Sequence, residues 1–173
     1  MIEIHKGGNI IVRYEHTDEN NRNFLLLCDE LILLFDQIIG DKEKDIDQKR
    51  FTKTNNIQDV IIAYEDNLPA GCVSFRKYDA ESAEMKRLYV KKIYRKKGIA
   101  YTLIKMIEKS AKDKGYKYMV LETGESLEKA MSLYQKMGYT IIDNLGIYGG
   151  MGSSLLMKKK LWPFIFAINK LEM

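Results

Sequence analysis

The sequence predicts a mixed α/β domain, a single mixed sheet with helices on both faces. Three observations carry this. Seven short runs have the β-rich, apolar character of strands. Between them lie segments whose apolar residues recur at helical spacing. In the second half of the chain the order strand–helix–strand occurs twice, which requires crossover connections in a sheet. At 173 residues, 46% hydrophobic and 30% charged, the chain has the length and balance for one domain, residues 1–173, with its own core.

Taken in order, residues 9–16 (NIIVRYEH) read as a first strand. The polar stretch after it supplies N-cap residues for a helix over 24–39, stopped by Gly40. That helix is amphipathic, with Asp29, Glu30 and Asp36 on one face, and is shorter than the ~20 apolar residues of a membrane span. The charged segment 40–56 reads as a loop with a short second helix. Residues 59–65 and 68–78 form a hairpin about Asp66–Asn67, and 83–90 form the next strand. From Gly98 the period changes: Ala100, Leu103, Ile104, Ile107 and Ala111 mark a helix that Gly115 ends. A strand follows at 116–123. Ser126 then caps a helix with Leu127, Ala130, Met131, Tyr134 and Met137 inward, ended by Gly138. Residues 139–145 and 153–161 are the last strands, around the glycine-rich GIYGGMG. The predicted order is β-α-α-β-β-β-α-β-α-β-β, leaving 162–173 as a C-terminal extension.

Two cysteines, Cys28 and Cys72, sit in apolar runs without a CxxC pair, as expected of buried reduced thiols in a cytoplasmic protein. The first residues lack a signal-peptide pattern. His5 and His16 lie far from every motif, and no metal site is expected.

Net charge is +4, but the charge is divided. Residues 15–47 hold ten acids against three bases, and residues 86–117 hold twelve bases against two acids. One part of the fold should attract an anion and another a cation. The densest basic run, Lys91, Lys92, Arg95, Lys96 and Lys97, stands between the end of a strand at Val90 and the start of a helix near Gly98. A helix N-terminus offers unpaired backbone N–H groups and about half a positive charge, and so binds phosphate. Gly98 has no Cβ to hold a ligand away. A cofactor bearing a pyrophosphate follows. The patterns GxxxxGK[ST] and GxGxxG are absent, which argues against a nucleoside triphosphate or a nicotinamide.

RKKGIA (95–100) fits the pattern [RQ]xxGx[GA], EMKRLYV (84–90) precedes it, and LETGESLEKAMSLYQKMGY (121–139) ends in AxxLYxxxG[FY]. On these elements, in this order over residues 59–161, the chain resembles the GNAT superfamily of N-acetyltransferases. The resemblance implies an enzyme that moves the acetyl group of acetyl-CoA to a primary amine of a small molecule or peptide, with no covalent enzyme intermediate. It implies that the strands at 83–90 and 116–123 splay apart. Pantetheine would then lie in the gap against the backbone of Leu88, Tyr89 and Val90. It implies that the diphosphate rests on the backbone of Arg95, Lys96, Lys97, Gly98, Ile99 and Ala100, with Tyr101 beside it. Tyr134 matches the family's general acid. An unperturbed phenol, pKa ~10, is protonated at neutral pH and can serve a thiolate leaving group.

Glu84, at the head of its strand, is the candidate base, with Glu81, Glu122 and Asp36 as alternatives and ordered water as a further route. Many relatives carry Asn three residues before the helix alanine. Leu127 stands there, which leaves Thr123 and Ser126 as nearby polar groups. Asp36, Glu122 and Tyr148 are expected to line the acceptor side. The acidic tract with Asp36, Asp41, Glu43 and Asp45 would favour a cationic amine. Trp162, Phe164 and Phe166 are consistent with a homodimer. Two rival readings are a non-catalytic acetyl-CoA sensor and a nucleic-acid module built on the basic 86–117 segment and its tyrosines. The acidic half speaks against the second, so neither nucleic acid nor a membrane is an expected partner.

Overall fold

The computed structural model describes residues 2–6, 10–39, 56–124, 127–142 and 154–161. The strands are β1 (Ile2–Lys6), β2 (Ile10–Thr17), β3 (Ile57–Glu65), β4 (Leu68–Lys77), β5 (Ser82–Val90), β6 (Tyr118–Gly124), β7 (Thr140–Ile142) and β8 (Ser154–Lys160). The helices are α1 (Arg22–Ile39), α2 (Ile99–Asp113) and α3 (Glu128–Lys136), with a 3-10 turn at Lys92–Tyr94. One sheet takes all the strands in the order β1-β2-β3-β4-β5-β6-β8-β7. Every neighbouring pair is antiparallel except β5–β6.

The local chemistry explains the elements. Asn21 caps α1: its side-chain oxygen accepts from the backbone N–H of Asn23 at 2.9 Å and Phe24 at 3.3 Å. The β3–β4 hairpin turns at Asp66 (φ 50°) and Asn67 (φ 64°), both left-handed, as a two-residue turn that matches strand twist requires. Residues Val60–Tyr64 are buried without a break, because both faces of the central strands are covered. On one face Phe24, Leu27 and Cys28 of α1 pack on Val60, Ile62, Tyr64 and Cys72. On the other, Leu103, Ile104, Ile107 and Ala111 of α2 join Tyr134 and Met137 over Ile61, Val73, Phe75, Met85 and Met119. Cys28 and Cys72 are buried free thiols.

Two features of β5 position the site. Its ladder to β6 has three rungs, Ser82↔Tyr118, Ala83↔Met119 and Glu84↔Val120, and then stops. Beyond that point β5 follows β4 as far as Gly71↔Val90, and β6 follows β8 as far as Gly124↔Ser154. A wedge therefore opens between residues 85–90 and 121–124. β5 also carries a bulge. Cys72 and Ser74 on β4 face Tyr89 and Lys86, so β5 holds one extra residue there. Arg87 takes φ 58°, a left-handed conformation costing a residue with a Cβ roughly 1–2 kcal/mol. The Cys72 thiol donates to Arg87 O at 3.3 Å, and the Ser74 hydroxyl to Lys86 O at 3.2 Å, which holds the bulge in place.

The structure adds β1, which the sequence reading did not place. It pairs along β2 from Ile2↔Tyr14 to Lys6↔Ile10. α3 begins at Glu128 with Leu127 at its cap and no side-chain capping bond. The predicted cap Ser126, the helix expected within 40–56, the GIYGGMG loop and residues 162–173 lie outside the described residues. No described helix is long and apolar enough to cross a membrane.

Gly71 lies where β4 and β5 approach most closely: a Cβ there would stand 2.6 Å from the carbonyl oxygen of Tyr89. Gly71→Ala is expected to lower stability by about 1–3 kcal/mol, because β4 and β5 must move apart. Urea unfolding of the two proteins checks it.

Candidate active site

The mouth of the wedge is built from the chain that leaves β5. The amide of Lys91 donates to Ala70 O at 2.9 Å, so β4 holds the exit from the strand. The 3-10 turn follows, closed by Tyr94 N–H to Lys91 O at 2.9 Å. Lys96 (φ 63°) and Gly98 (φ 78°) then turn the backbone into α2. Gly98 is the N-cap, with no side-chain capping bond, and the first turn of α2 holds no acid. The amides of Ile99, Ala100 and Tyr101 therefore open the helix beside the wedge, with no competing carboxylate in that turn.

The basic run between β5 and α2 does not stand as a uniform set of mobile charges. Arg95 folds back, its Nε donating to Val90 O at 2.9 Å. Lys97 forms an ion pair with Glu65, which is 5% exposed, and its ammonium stands 5.5 Å from the centroid of the Tyr94 ring. Lys92 and Lys96 remain as exposed side chains on the loop. The physical reason is the end of β3, whose buried carboxylate recruits the nearest cation. Four other bases of the 86–117 segment are also paired with carboxylates. Lys91 pairs with Glu30 at 2.9 Å, Lys86 with Glu84 at 3.1 Å, Lys109 with Asp113, and Lys117 with Glu81.

Inside the wedge, Leu88 packs against the core and Val90 is buried. The Tyr89 hydroxyl donates to Glu30 at 3.2 Å, which ties α1 to the wall. Burial first, and then Glu30, push the Tyr89 phenol above its ordinary range. Tyr101 is exposed on the first turn of α2.

Tyr134 comes from α3 and is 8% exposed, reaching into the cluster that holds Met85, Val90 and Leu121. Burial pushes its phenol up to about 12. The group is therefore neutral and proton-bearing throughout the physiological range.

Glu84 does not stand as an open carboxylate. It is fully buried at the vertex of the wedge, with Arg76 Nε at 2.6 Å from one oxygen and Lys86 Nζ at 3.1 Å from the other. Its neighbour across the ladder, Val120, is the last residue of β6 paired with β5. Glu122 lies two residues further, half-buried on the open edge of β6, while Glu81 is exposed and paired with Lys117 outside the wedge. Thr123 is buried beside Glu122. Tyr148, the side chain of Asp36 and the acidic tract 41–47 lie outside the described residues. Among those described, the His, Cys, Asp and Glu residues form no group of three that could hold a metal. His16 is instead paired with Asp59 at 2.9 Å.

Sequence reasoning missed Arg76, Lys86 and Glu65. Alternation along β5 puts Glu84 and Lys86 on one face, and the hairpin register brings Arg76 opposite Glu84. No local signal pairs Glu65 with Lys97, which is thirty-two residues away.

A sheet that parts after one short parallel ladder, with a bare helix N-terminus following β5 and a buried phenol in the core cluster that holds Met85, Val90 and Leu121, defines an acyl-CoA-dependent acyltransferase fold. Residues 24–139 match the Acetyltransferase (GNAT) family, and the chain belongs to it. It is 32% identical over 82 residues, 47% of this chain and 40% of the relative, to a Xenopus tropicalis protein named "Probable N-acetyltransferase 14". The chain spans less than half the length of the first curated relatives it matches. Among solved structures it resembles the PaiA N-acetyltransferase of Thermoplasma acidophilum in complex with coenzyme A. That match has a TM-score of 0.66 and 22% identity, over 86% of this chain and 99% of that one. A GNAT-family acetyltransferase of Staphylococcus aureus matches with TM-score 0.67 and 17% identity, over 87% and 99%. At these identities the structural likeness shows the fold.

Lys97→Met leaves Glu65 buried without its ammonium. With the Lys97 side chain 35% exposed, the expected loss of stability is about 2 kcal/mol. Lys96→Met, on an exposed side chain, is expected to change stability by less than about 0.5 kcal/mol. Thermal or urea unfolding of both variants separates the anchor from the surface charge.

Proposed function

We propose that the chain transfers the acetyl group of acetyl-CoA to a primary amine of a small molecule or peptide, by direct attack within a ternary complex. The observation that carries this is the wedge between β5 and β6 opening beside the N-terminus of α2. Pantetheine would add to the free edge of β5 at Leu88, Tyr89 and Val90. The diphosphate would rest on the backbone N–H groups from Arg95 to Ala100 and at Tyr101, with Lys92 and Lys96 as outer cations. The PaiA relative, crystallised with coenzyme A, supports the choice of ligand.

The neutral amine attacks the thioester carbonyl, the C–N bond forms, and the C–S bond breaks. Tyr134 gives its proton to the departing sulfur. The proton lost by the amine goes to water or to a carboxylate on the acceptor side. For that role Glu122 on the open edge fits better than Glu84, whose oxygens are engaged by Arg76 and Lys86. Glu84 then serves as the ionic staple at the vertex. The acidic tract with Asp36, Asp41, Glu43 and Asp45 favours a cationic acceptor. The reading goes with a single domain over 1–173 in a reducing, cytoplasmic setting that suits two buried thiols.

Thiol release from acetyl-CoA, measured across spermidine, an aminoglycoside and a lysine peptide, tests the reading. Release with one of these amines is expected. Stabilisation by CoA with no release from any of them replaces the transferase with a sensor. Tyr134→Phe is expected to lower kcat about 10²-fold with the KM for acetyl-CoA nearly unchanged. An unchanged kcat removes Tyr134 as the acid. Because the phenol keeps its proton until about pH 12, its acid form disappears only far into the alkaline range. The kcat profile between pH 6 and 10 should therefore show no alkaline fall that Tyr134→Phe abolishes.

A further inference from the structure

Beneath Tyr134 the helical face of the sheet contains a carboxylate that a packing argument does not require. Glu108 lies on the inward stripe of α2 among Ile104, Ile107 and Ala111, and is 7% exposed. A carboxylate buried there is costly unless it is paired and hydrogen-bonded. Here it is both. Lys159 of β8 approaches each of its oxygens at 2.7 Å, and the Tyr139 hydroxyl donates to Oε1 at 3.0 Å. Tyr139 is 2% exposed and directly follows the turn that ends α3. Its amide donates to Tyr134 O at 3.0 Å, and its ring meets the Tyr134 ring edge-on, with centroids 5.9 Å apart at 65°. The Lys159 ammonium stands 5.4 Å from the Tyr139 ring centroid.

Three elements distant in the chain thus converge on one phenol. Apolar side chains of similar volume would hold them together at least as well, since replacing a buried ion pair by packed hydrophobic residues is often neutral or stabilising. What an apolar cluster lacks is direction. The hydrogen bond to Glu108 fixes the rotation and depth of the Tyr139 ring, and that ring is the wall against which Tyr134 rests. We infer that Glu108, Lys159 and Tyr139 are positioning residues for the phenol of Tyr134, setting where its proton meets the departing sulfur. The inference rests on the transferase reading and on Tyr134 as the acid.

A double-mutant cycle on kcat for thiol release from acetyl-CoA, with the amine accepted in the panel above, tests it. Tyr139→Phe keeps the ring and removes the hydroxyl. It is expected to lower kcat about tenfold by misplacing Tyr134, with the KM for acetyl-CoA unchanged within twofold. In a Tyr134→Phe background the same change is expected to cost nothing further, because the group it positions no longer donates. An equal loss in both backgrounds, or no loss in the native background, overturns the inference and leaves the transferase reading intact. Glu108→Gln retains an acceptor for the hydroxyl and should keep kcat within about threefold, whereas Glu108→Leu should match Tyr139→Phe. If Glu108→Leu does not fold, the tyrosine cycle decides alone. Absence of release with every amine overturns the transferase reading and this inference together. An unchanged kcat in Tyr134→Phe overturns the acid assignment and this inference, while the activity stands.

Discussion

The rest of the structure depends on where β5 and β6 stop pairing. A parallel ladder gains one backbone hydrogen bond per step, and a buried strand edge left unpaired is costly. Here the ladder closes for three rungs and then parts, although both strands continue. Each is held on its far side, β5 by β4 and β6 by β8, so neither can swing back to close the gap. Residues 85–90 of β5 and 121–124 of β6 are thereby left unpaired with each other. The bulge at Arg87 belongs to the same constraint. It sets β5 on a new course at the height where the ladder to β6 has ended.

Around this wedge the fold places its buried charges in a consistent way. Glu84 at the vertex is held by Arg76 and Lys86, Glu65 at the mouth by Lys97, and Glu108 under the helices by Lys159. Each carboxylate is less than 9% exposed, and apart from Lys86, which shares β5 with Glu84, each partner comes from another turn or element of the chain. Such pairs add little net stability against an apolar alternative, but they are directional and tolerate few other arrangements. They mark the places where two strands, a loop and a helix must meet in one register. Two of the twelve bases at 86–117, Lys86 and Lys97, are consumed in this way, while the first amides of α2 have no side-chain cap.

The Tyr134 phenol shows how the scaffold and the proposed chemistry share the same atoms. Tyr134 is buried because α3 lays its apolar face on the sheet, and the same burial keeps its proton in place to about pH 12. A group desolvated to this extent depends on its neighbours for orientation. Those neighbours are Tyr139 and, behind it, the pair between Glu108 and Lys159.

Much of this was legible in the residues alone. The helix over 99–113 followed from the spacing of Leu103, Ile104, Ile107 and Ala111, and the β3–β4 hairpin from Asp66–Asn67 between two β-rich runs. The turn RKKGIA located the open helix N-terminus, because helical periodicity, turn chemistry and capping are properties of neighbouring residues. β1 was less legible, since its five residues acquire a strand's identity only by pairing with β2. The partners of Glu65, Glu84 and Glu108 were not legible, nor was the three-rung length of the ladder. Sequence by itself determined which elements form, in what order, and where a phosphate could dock. Only the tertiary structure decided which cations stay available, which carboxylates are sealed and how far the wedge opens, because ion pairing and strand register act between residues that the chain brings together only on folding.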